Sequence, residues 1–119
     1  MTIDYRWLTP KIAVTGQLHA TDMREAHEAG FRSVICNRPD GEEGPSQPSQ
    51  NEVLEAAKDL GLEVAYHPVN SSGHTPEQAL EMGRLINSLP TPILSYCRSG
   101  GRCANLISLA AQLGQPVPQ

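Results

Sequence analysis

The amino-acid sequence predicts an α/β fold in which a mainly parallel central sheet is flanked by helices. Three observations predict it: short apolar runs alternate with amphipathic segments, N-cap residues open those segments, and glycines close them. A chain of 119 residues is long enough to bury a core without disulfides or metals, so we expect one domain over residues 1–119. In such folds, ligands bind where loops leave the C-terminal ends of the strands.

The first third of the chain contains two predicted strands and one predicted helix. The first strand is the apolar run at 12–14 (IAV). A helix begins at Thr21 or Asp22, which are N-cap residues, and ends at Gly30. The second strand covers 31–36 (FRSVIC).

A long loop separates this strand from the next helix. Residues 37–50 (NRPDGEEGPSQPSQ) combine Pro, Gly, Ser and charge, and loops of this length in compact domains are often functional. The following helix starts after Ser49, which forms a capping pattern with Glu52, and ends at Gly61. Its apolar stripe consists of Val53, Leu54, Ala57 and Leu60.

The remaining elements continue the alternation. A strand is predicted at 62–67 (LEVAYH), and 75–78 (TPEQ) has the N-cap, proline and capping-box glutamine that open a helix. The apolar run at 92–96 (PILSY) is typical of a strand covered on both faces. The last helix, 102–113, is apolar almost all round and is therefore expected to be buried.

Composition and charge exclude several classes of function. The net charge of -4 provides no basic surface for nucleic acid, and no apolar stretch is long enough to cross a membrane. The first residues lack the pattern of a signal peptide. Three cysteines without a C-x-x-C motif favour reduced thiols, and we expect a cytoplasmic protein.

The segment 95–103 (SYCRSGGRC) is the candidate site. Cys97 follows a buried strand, and the glycines after it allow a sharp turn whose backbone amides can face an anion. The N-terminus of the next helix and two arginines add positive charge. The predicted anion-binding residues are Arg98, Ser99, Gly100, Gly101 and Arg102.

The same surroundings favour a thiolate at Cys97, which would make it a nucleophile toward a bound anion. A disulfide between Cys97 and Cys103 is the first alternative, but disulfides are rare in reducing compartments. A zinc site is the second, but His67 and His74 do not have the usual ligand spacing. A buried structural thiol would explain neither the glycines nor the arginines.

Five segments of the chain resemble the phosphatase-like domain of bacterial beta-lactamase-hydrolase-like proteins. The resemblance implies a fold like that of dual-specificity phosphatases, with a cysteine loop that is also similar to that of rhodaneses. Members of the family have been described both as phosphatases and as sulfurtransferases, and some are fused to domains that resemble persulfide dioxygenases. The five segments are IAVTGQL (12–18), GFRSVICNRPDGEE (30–43), QPS (47–49), GLEVAYHPV (61–69) and YCRSGGR (96–102).

Two features favour sulfur transfer from a small sulfane-sulfur donor, with a persulfide on Cys97 and a thiol as a possible acceptor. The spacing from Cys97 to Arg102 is C-x4-R, whereas protein phosphatases usually have C-x5-R. The loop 67–75 contains no carboxylate, and Asn70 occupies the approximate place of the acidic Asp of dual-specificity phosphatases. Hydrolysis of phosphate esters through a phosphocysteine is the alternative, and a non-catalytic anion-binding module is the third hypothesis.

A phosphatase would need a general acid, for which Asp40 and His74 are the candidates. Asp40 is alternatively a turn residue, and Arg38 either lines the anion site or pairs with a surface glutamate. Cys103 is either a small helix residue, which we favour, or a resolving thiol for Cys97. No metal or organic cofactor is implied, and the expected partner is a small anionic substrate.

Overall fold

The structure, a computed structural model, describes residues 2–119 and contains a five-stranded sheet with helices on both faces. The strands lie in the order β1-β2-β5-β3-β4, so β5 is central. The strands are β1 (Arg6–Thr9), β2 (Ile12–Thr15), β3 (Ser33–Cys36), β4 (Glu63–Tyr66) and β5 (Ile93–Tyr96). The helices are α1 (Met23–Glu28), preceded by a 3-10 turn (Ala20–Asp22), α2 (Gln50–Asp59), α3 (Pro76–Ser88) and α4 (Gly101–Gln112).

The sheet is mainly parallel, as predicted. β2, β3, β4 and β5 run parallel, and only β1 pairs antiparallel, with β2. The strand β1 was not predicted, because this edge strand is exposed and has no buried apolar run. The parallel arrangement brings the C-terminal ends of β2, β3 and β5 to one edge of the sheet, where the Cys97 loop begins.

Alternation along the central strands divides the core into two layers. Ala13, Val34 and Leu94 face α1 and α2, whereas Ile12 and Ile93 face α3 and α4. All four residues of β5 are buried, as expected for a strand covered on both faces.

Two of the predicted helix starts are confirmed by their caps. The Ser49 side chain accepts a hydrogen bond from the Glu52 amide, and Thr75 forms a capping box with Gln78. The prediction that the last helix is buried all round is wrong. One face of α4 packs on the sheet and α3, but Asn105 is exposed on the other face. None of the helices in residues 2–119 has the length and apolar character needed to cross a membrane.

Candidate active site

Cys97 directly follows the central strand, where β2 and β3 hold it from both sides. Its amide donates to the carbonyl of Thr15 at the end of β2 (3.3 Å), and the neighbouring Tyr96 carbonyl accepts from the amide of Asn37 after β3 (2.8 Å). The Cys97 side chain is buried. The candidate nucleophile therefore lies on rigid backbone rather than on a mobile loop.

The turn after Cys97 depends on one glycine rather than two. Gly100 has a φ of 92°, in the left-handed region, and its amide donates to the Cys97 sulfur (3.1 Å). Gly101 has no such φ and is the first residue of α4. The expectation that both glycines supply backbone freedom is thus correct for Gly100 and wrong for Gly101, because the helix starts one residue earlier than predicted.

Hydrogen bonds to the sulfur hold Cys97 as a thiolate. The largest contribution comes from the Cys103 thiol, which outweighs burial and lowers the pKa of the Cys97 thiol to about 5. The amides of Cys103, Ser99 and Gly100 act in the same direction. Burial raises the pKa of the Cys103 thiol, so this group keeps its proton and remains a donor. The pair is therefore asymmetric, with one thiolate and one thiol.

The choice between a small helix residue and a resolving thiol at Cys103 stays a prediction, but its thiol also lowers the pKa of Cys97. The side chain lies in the first turn of α4, and side chains on a helix lean toward its N-terminus, which here is the Cys97 loop. Cys103 therefore reaches back to the sulfur that it was expected to miss. All three cysteines are free in the structure.

Removing the Cys103 thiol is expected to raise the pKa of Cys97. In wild-type protein the rate of Cys97 alkylation by iodoacetamide should rise with pH around a midpoint of about 5 and be constant above it. Cys103→Ala should move the midpoint toward neutral pH, and Cys103→Ser should restore much of the shift because a hydroxyl also donates. The measurement is peptide mass spectrometry across pH, with Cys36→Ala as control; an unchanged midpoint in Cys103→Ala would contradict the assignment.

A cavity of about 280 Å³ opens over the Cys97 sulfur. The structure brings most of the predicted site residues together there, including His74 from the 67–75 loop and both arginines. Gly100 is buried behind the loop instead of lining the cavity. The lining residues are Ser71, His74, Cys97, Arg98, Ser99, Gly101, Arg102 and Asn105.

Asp40 lies outside the lining of this cavity. Its carboxylate accepts a hydrogen bond from the Gln50 amide (2.7 Å) at the start of α2, and Asp40 is not part of the cavity lining. The His74 ring lines the cavity, and its Nδ1 is buried without a hydrogen-bond partner in residues 2–119. The role of general acid stays a prediction for both residues, but only His74 lines the cavity.

Arg38 pairs with glutamates as anticipated, but it does so in the interior. It is 4% exposed and contacts both Glu42 and Glu43. Glu42 also contacts Arg102, which is itself buried, and Glu43 contacts Arg98 at the exposed mouth of the site. The long 37–50 loop therefore supplies the carboxylates that hold the arginines of the Cys97 loop.

Several residues of the site could not be found from the sequence. Ser71 and Asn105 line the cavity but carry no recognisable motif, and Glu42 was considered only as a partner of Arg38. The acidic pair in PDGEE was the available signal for Glu42. In the described part of the chain, no group of three or more His, Cys, Asp or Glu side chains is placed to hold a metal ion.

Fold and site together define a class of protein. A central parallel strand that leads through a cysteine loop into a helix is the arrangement of the cysteine-based phosphatase fold, which solved structures of phosphatases share with this chain. The chain belongs to the family described as beta-lactamase hydrolase-like protein, phosphatase-like domain, whose sequence model matches residues 4–114. The resemblance noted from the sequence is thus confirmed.

Three comparisons place the chain within this class. A beta-lactamase hydrolase-like protein from Xylella fastidiosa is 31% identical over 103 residues; the match covers 87% of this chain and 24% of the relative, so the chain spans about a quarter of the length of the curated relatives it matches. A candidate phosphatase from Neisseria meningitidis is 28% identical with a TM-score of 0.81, over 92% of this chain and 78% of that chain. The core catalytic domain of the PP-IP phosphatase Siw14 from Saccharomyces cerevisiae shares the fold, with 20% identity and a TM-score of 0.70, over 92% of this chain and 65% of that chain.

These comparisons bear on the choice between sulfur and phosphate. The family description and the solved structures are phosphatase-like, and they support the phosphate-ester alternative better than the sulfur transfer that the sequence favoured. The comparisons show the phosphatase-like family and fold, and the choice of substrate stays a prediction.

Proposed function

We propose that the protein is a cysteine-dependent phosphatase that hydrolyses small phosphate esters through a phosphocysteine on Cys97. The observation that carries the proposal is the Cys97 sulfur, a thiolate that accepts from the Gly100 amide and opens onto a cavity lined by Arg98 and Arg102. A nucleophile and cationic donors for a tetrahedral anion thus share one small volume. The phosphatase-like description of the family supports the same reaction.

The reaction would run in two displacements. The Cys97 thiolate attacks phosphorus, an S–P bond forms, and the P–O bond to the leaving group breaks with its electron pair on oxygen. Water then attacks the phosphocysteine, the S–P bond breaks, phosphate leaves, and the thiolate is regenerated while the water proton passes to the phosphate or to solvent. Arg102 and the loop amides stabilise the charge on the phosphoryl oxygens in both steps.

The leaving group should be one that needs little help from an acid. No Asp or Glu lines the cavity, and the Asp40 carboxylate is bound to the Gln50 amide. His74 is the one cavity residue outside the catalytic loop that can donate a proton to a leaving oxygen. We therefore expect aryl phosphates or phosphoanhydrides to react faster than simple alkyl phosphates.

Sulfur transfer is the second candidate, and the carboxylate-free cavity specifically favours it. The Cys97 thiolate would attack the outer sulfur of thiosulfate, the S–S bond would break, and sulfite would leave with the electron pair and need no proton. A thiolate acceptor or cyanide would then remove the sulfur from the Cys97 persulfide. The same thiolate thus serves either reaction, and the adduct that it forms distinguishes the two.

One experiment tests both candidates on the same reduced protein. p-Nitrophenyl phosphate and thiosulfate are offered separately, released phosphate is measured, and the Cys97 peptide is analysed by mass spectrometry after rapid acid quench. We expect phosphate release and a phosphoryl adduct on Cys97. A sulfur adduct that cyanide discharges, with no phosphate release, would overturn the phosphatase proposal in favour of sulfur transfer.

A further inference from the structure

A chain of ion pairs joins the long 37–50 loop to the arginine of the catalytic loop. Arg38 Nε lies 2.8 Å from Glu42 Oε1, and Glu42 Oε2 lies 3.1 Å from Arg102 Nη1. Arg38 is also held by Gln17, whose side-chain oxygen accepts from Nη1 (2.9 Å). Glu42 therefore stands between two buried guanidinium groups, one of which is anchored away from the cavity.

The contacts of Arg102 occupy one end of its guanidinium. Nη1 donates to the Val69 carbonyl (2.9 Å) and lies beside Glu42 Oε2, and Nη2 donates to Glu42 Oε1 (3.2 Å). Nε makes no hydrogen bond within residues 2–119. A guanidinium has five N–H donors, and the two that remain, on Nε and on the far side of Nη2, form a parallel pair along one edge.

We propose that Glu42 is a positioning residue that clamps the Nη1–Nη2 end of Arg102, so that the Nε edge is left to bind an oxyanion above Cys97 through two parallel hydrogen bonds. Arg102 lines the cavity over the sulfur, and no protein group in residues 2–119 accepts a hydrogen bond from its Nε. The inference deepens the proposed function, because it assigns the geometry with which the phosphoryl group is held.

Glu42 is suited to this role, and its neighbour Glu43 is not. The Glu42 side chain is 21% exposed, and although burial acts to raise its pKa, hydrogen bonds from Arg102 and Arg38 lower it, so the carboxylate stays charged. Glu43 is 47% exposed and contacts Arg98 and Arg38 but makes no ion pair with Arg102. The two glutamates are thus a matched pair in charge and loop position that differ in the contact with Arg102.

Electrostatics alone predicts the opposite result for Glu42. A carboxylate near an anion site weakens anion binding, so replacing either glutamate with glutamine should strengthen binding if only the field matters. The clamp predicts that Glu42→Gln weakens binding, because Arg102 loses the partner that orients it. The sign of the change therefore separates positioning from a general charge effect.

The test measures how inorganic phosphate protects Cys97 from alkylation by iodoacetamide, a neutral reagent that the arginines do not attract. In Glu42→Gln, the phosphate concentration that gives half protection should rise about 10-fold to 100-fold, as expected when a positioned group is displaced. Glu43→Gln should need the same concentration as wild type, or less. Equal behaviour of the two variants would overturn the inference.

Two further variants guard against a change in folding. Glu42→Asp keeps the charge but is one methylene shorter, so it cannot reach both arginines, and its protection should also weaken. In an Arg102→Ala background, adding Glu42→Gln should have no further effect, because Glu42 acts through Arg102. Independent, additive losses would show that Glu42 acts by another route and would sink the proposal.

This assay does not depend on turnover. Phosphate protection that requires Glu42, in a protein that hydrolyses no phosphate ester, would keep the clamp and refute the proposed reaction. Hydrolysis with identical protection in Glu42→Gln and Glu43→Gln would keep the reaction and refute the clamp.

Discussion

Replacing Cys97 with serine is expected to reduce turnover by about 10³-fold or more, because the proposed covalent intermediate forms on the Cys97 sulfur. A serine hydroxyl keeps the approximate shape of the thiol, but it does not ionise under conditions in which Cys97, with a pKa of about 5, is fully charged. The measurement is steady-state release of phosphate, and of sulfite from thiosulfate, by both proteins.

The same variant tests the third hypothesis, an anion-binding module without catalysis. The Gly100 amide and the Arg102 guanidinium are unchanged in Cys97→Ser, so phosphate should still raise the melting temperature of the variant. Loss of turnover with retained binding is the expected pattern. Wild-type protein that binds phosphate but shows neither turnover nor a covalent adduct would favour the binding module over both enzymes.

The sequence predicted well those features that depend on interactions between residues close together in the chain. Ser49 and Thr75 cap their helices through their own hydroxyl groups, and each cap depends only on residues within one turn. Cys97 was found for a similar reason, since an apolar strand, a glycine turn and a helix are contiguous in the chain. Local patterns of this kind need no knowledge of the tertiary fold.

The features that could not be predicted from the sequence depend on contacts between segments that are distant in the chain. Glu42 and Arg102 are sixty positions apart, and nothing in the irregular 37–50 loop shows which carboxylate will meet which arginine. The exposed β1 lacks the apolar run that marked the other strands. Asp40 and His74 were equal candidates for the general acid in the sequence. Only the folded structure shows that the Asp40 carboxylate accepts a hydrogen bond from the Gln50 amide, whereas the His74 ring lines the cavity.

Substituting alanine at Gly100 is expected to damage both the fold and the thiolate, whereas alanine at Gly101 should be tolerated. Gly100 has a φ of 92°, and a Cβ there would lie 3.3 Å from the backbone carbon of Thr15, in a buried strand that cannot move aside. The strained backbone should cost about 1–3 kcal/mol of unfolding free energy. The displaced amide would no longer reach the Cys97 sulfur, so the pKa of the thiol should rise and turnover should fall about 100-fold.

Gly101→Ala is the matched control because a Cβ at that position would meet only the Ser99 hydroxyl, at 3.6 Å. Gly101 is the first residue of α4, and alanine has a higher helix propensity than glycine. The free energy of unfolding of Gly101→Ala should therefore not be lower than that of the wild type. Urea unfolding and the pH midpoint of Cys97 alkylation measure the two effects separately. If both substitutions raised the midpoint equally, the thiolate would depend on the flexibility of the whole turn. If only Gly100→Ala does so, the Gly100 amide, which the left-handed residue holds against β2, contributes to the thiolate beside the Cys103 thiol, as the structure indicates.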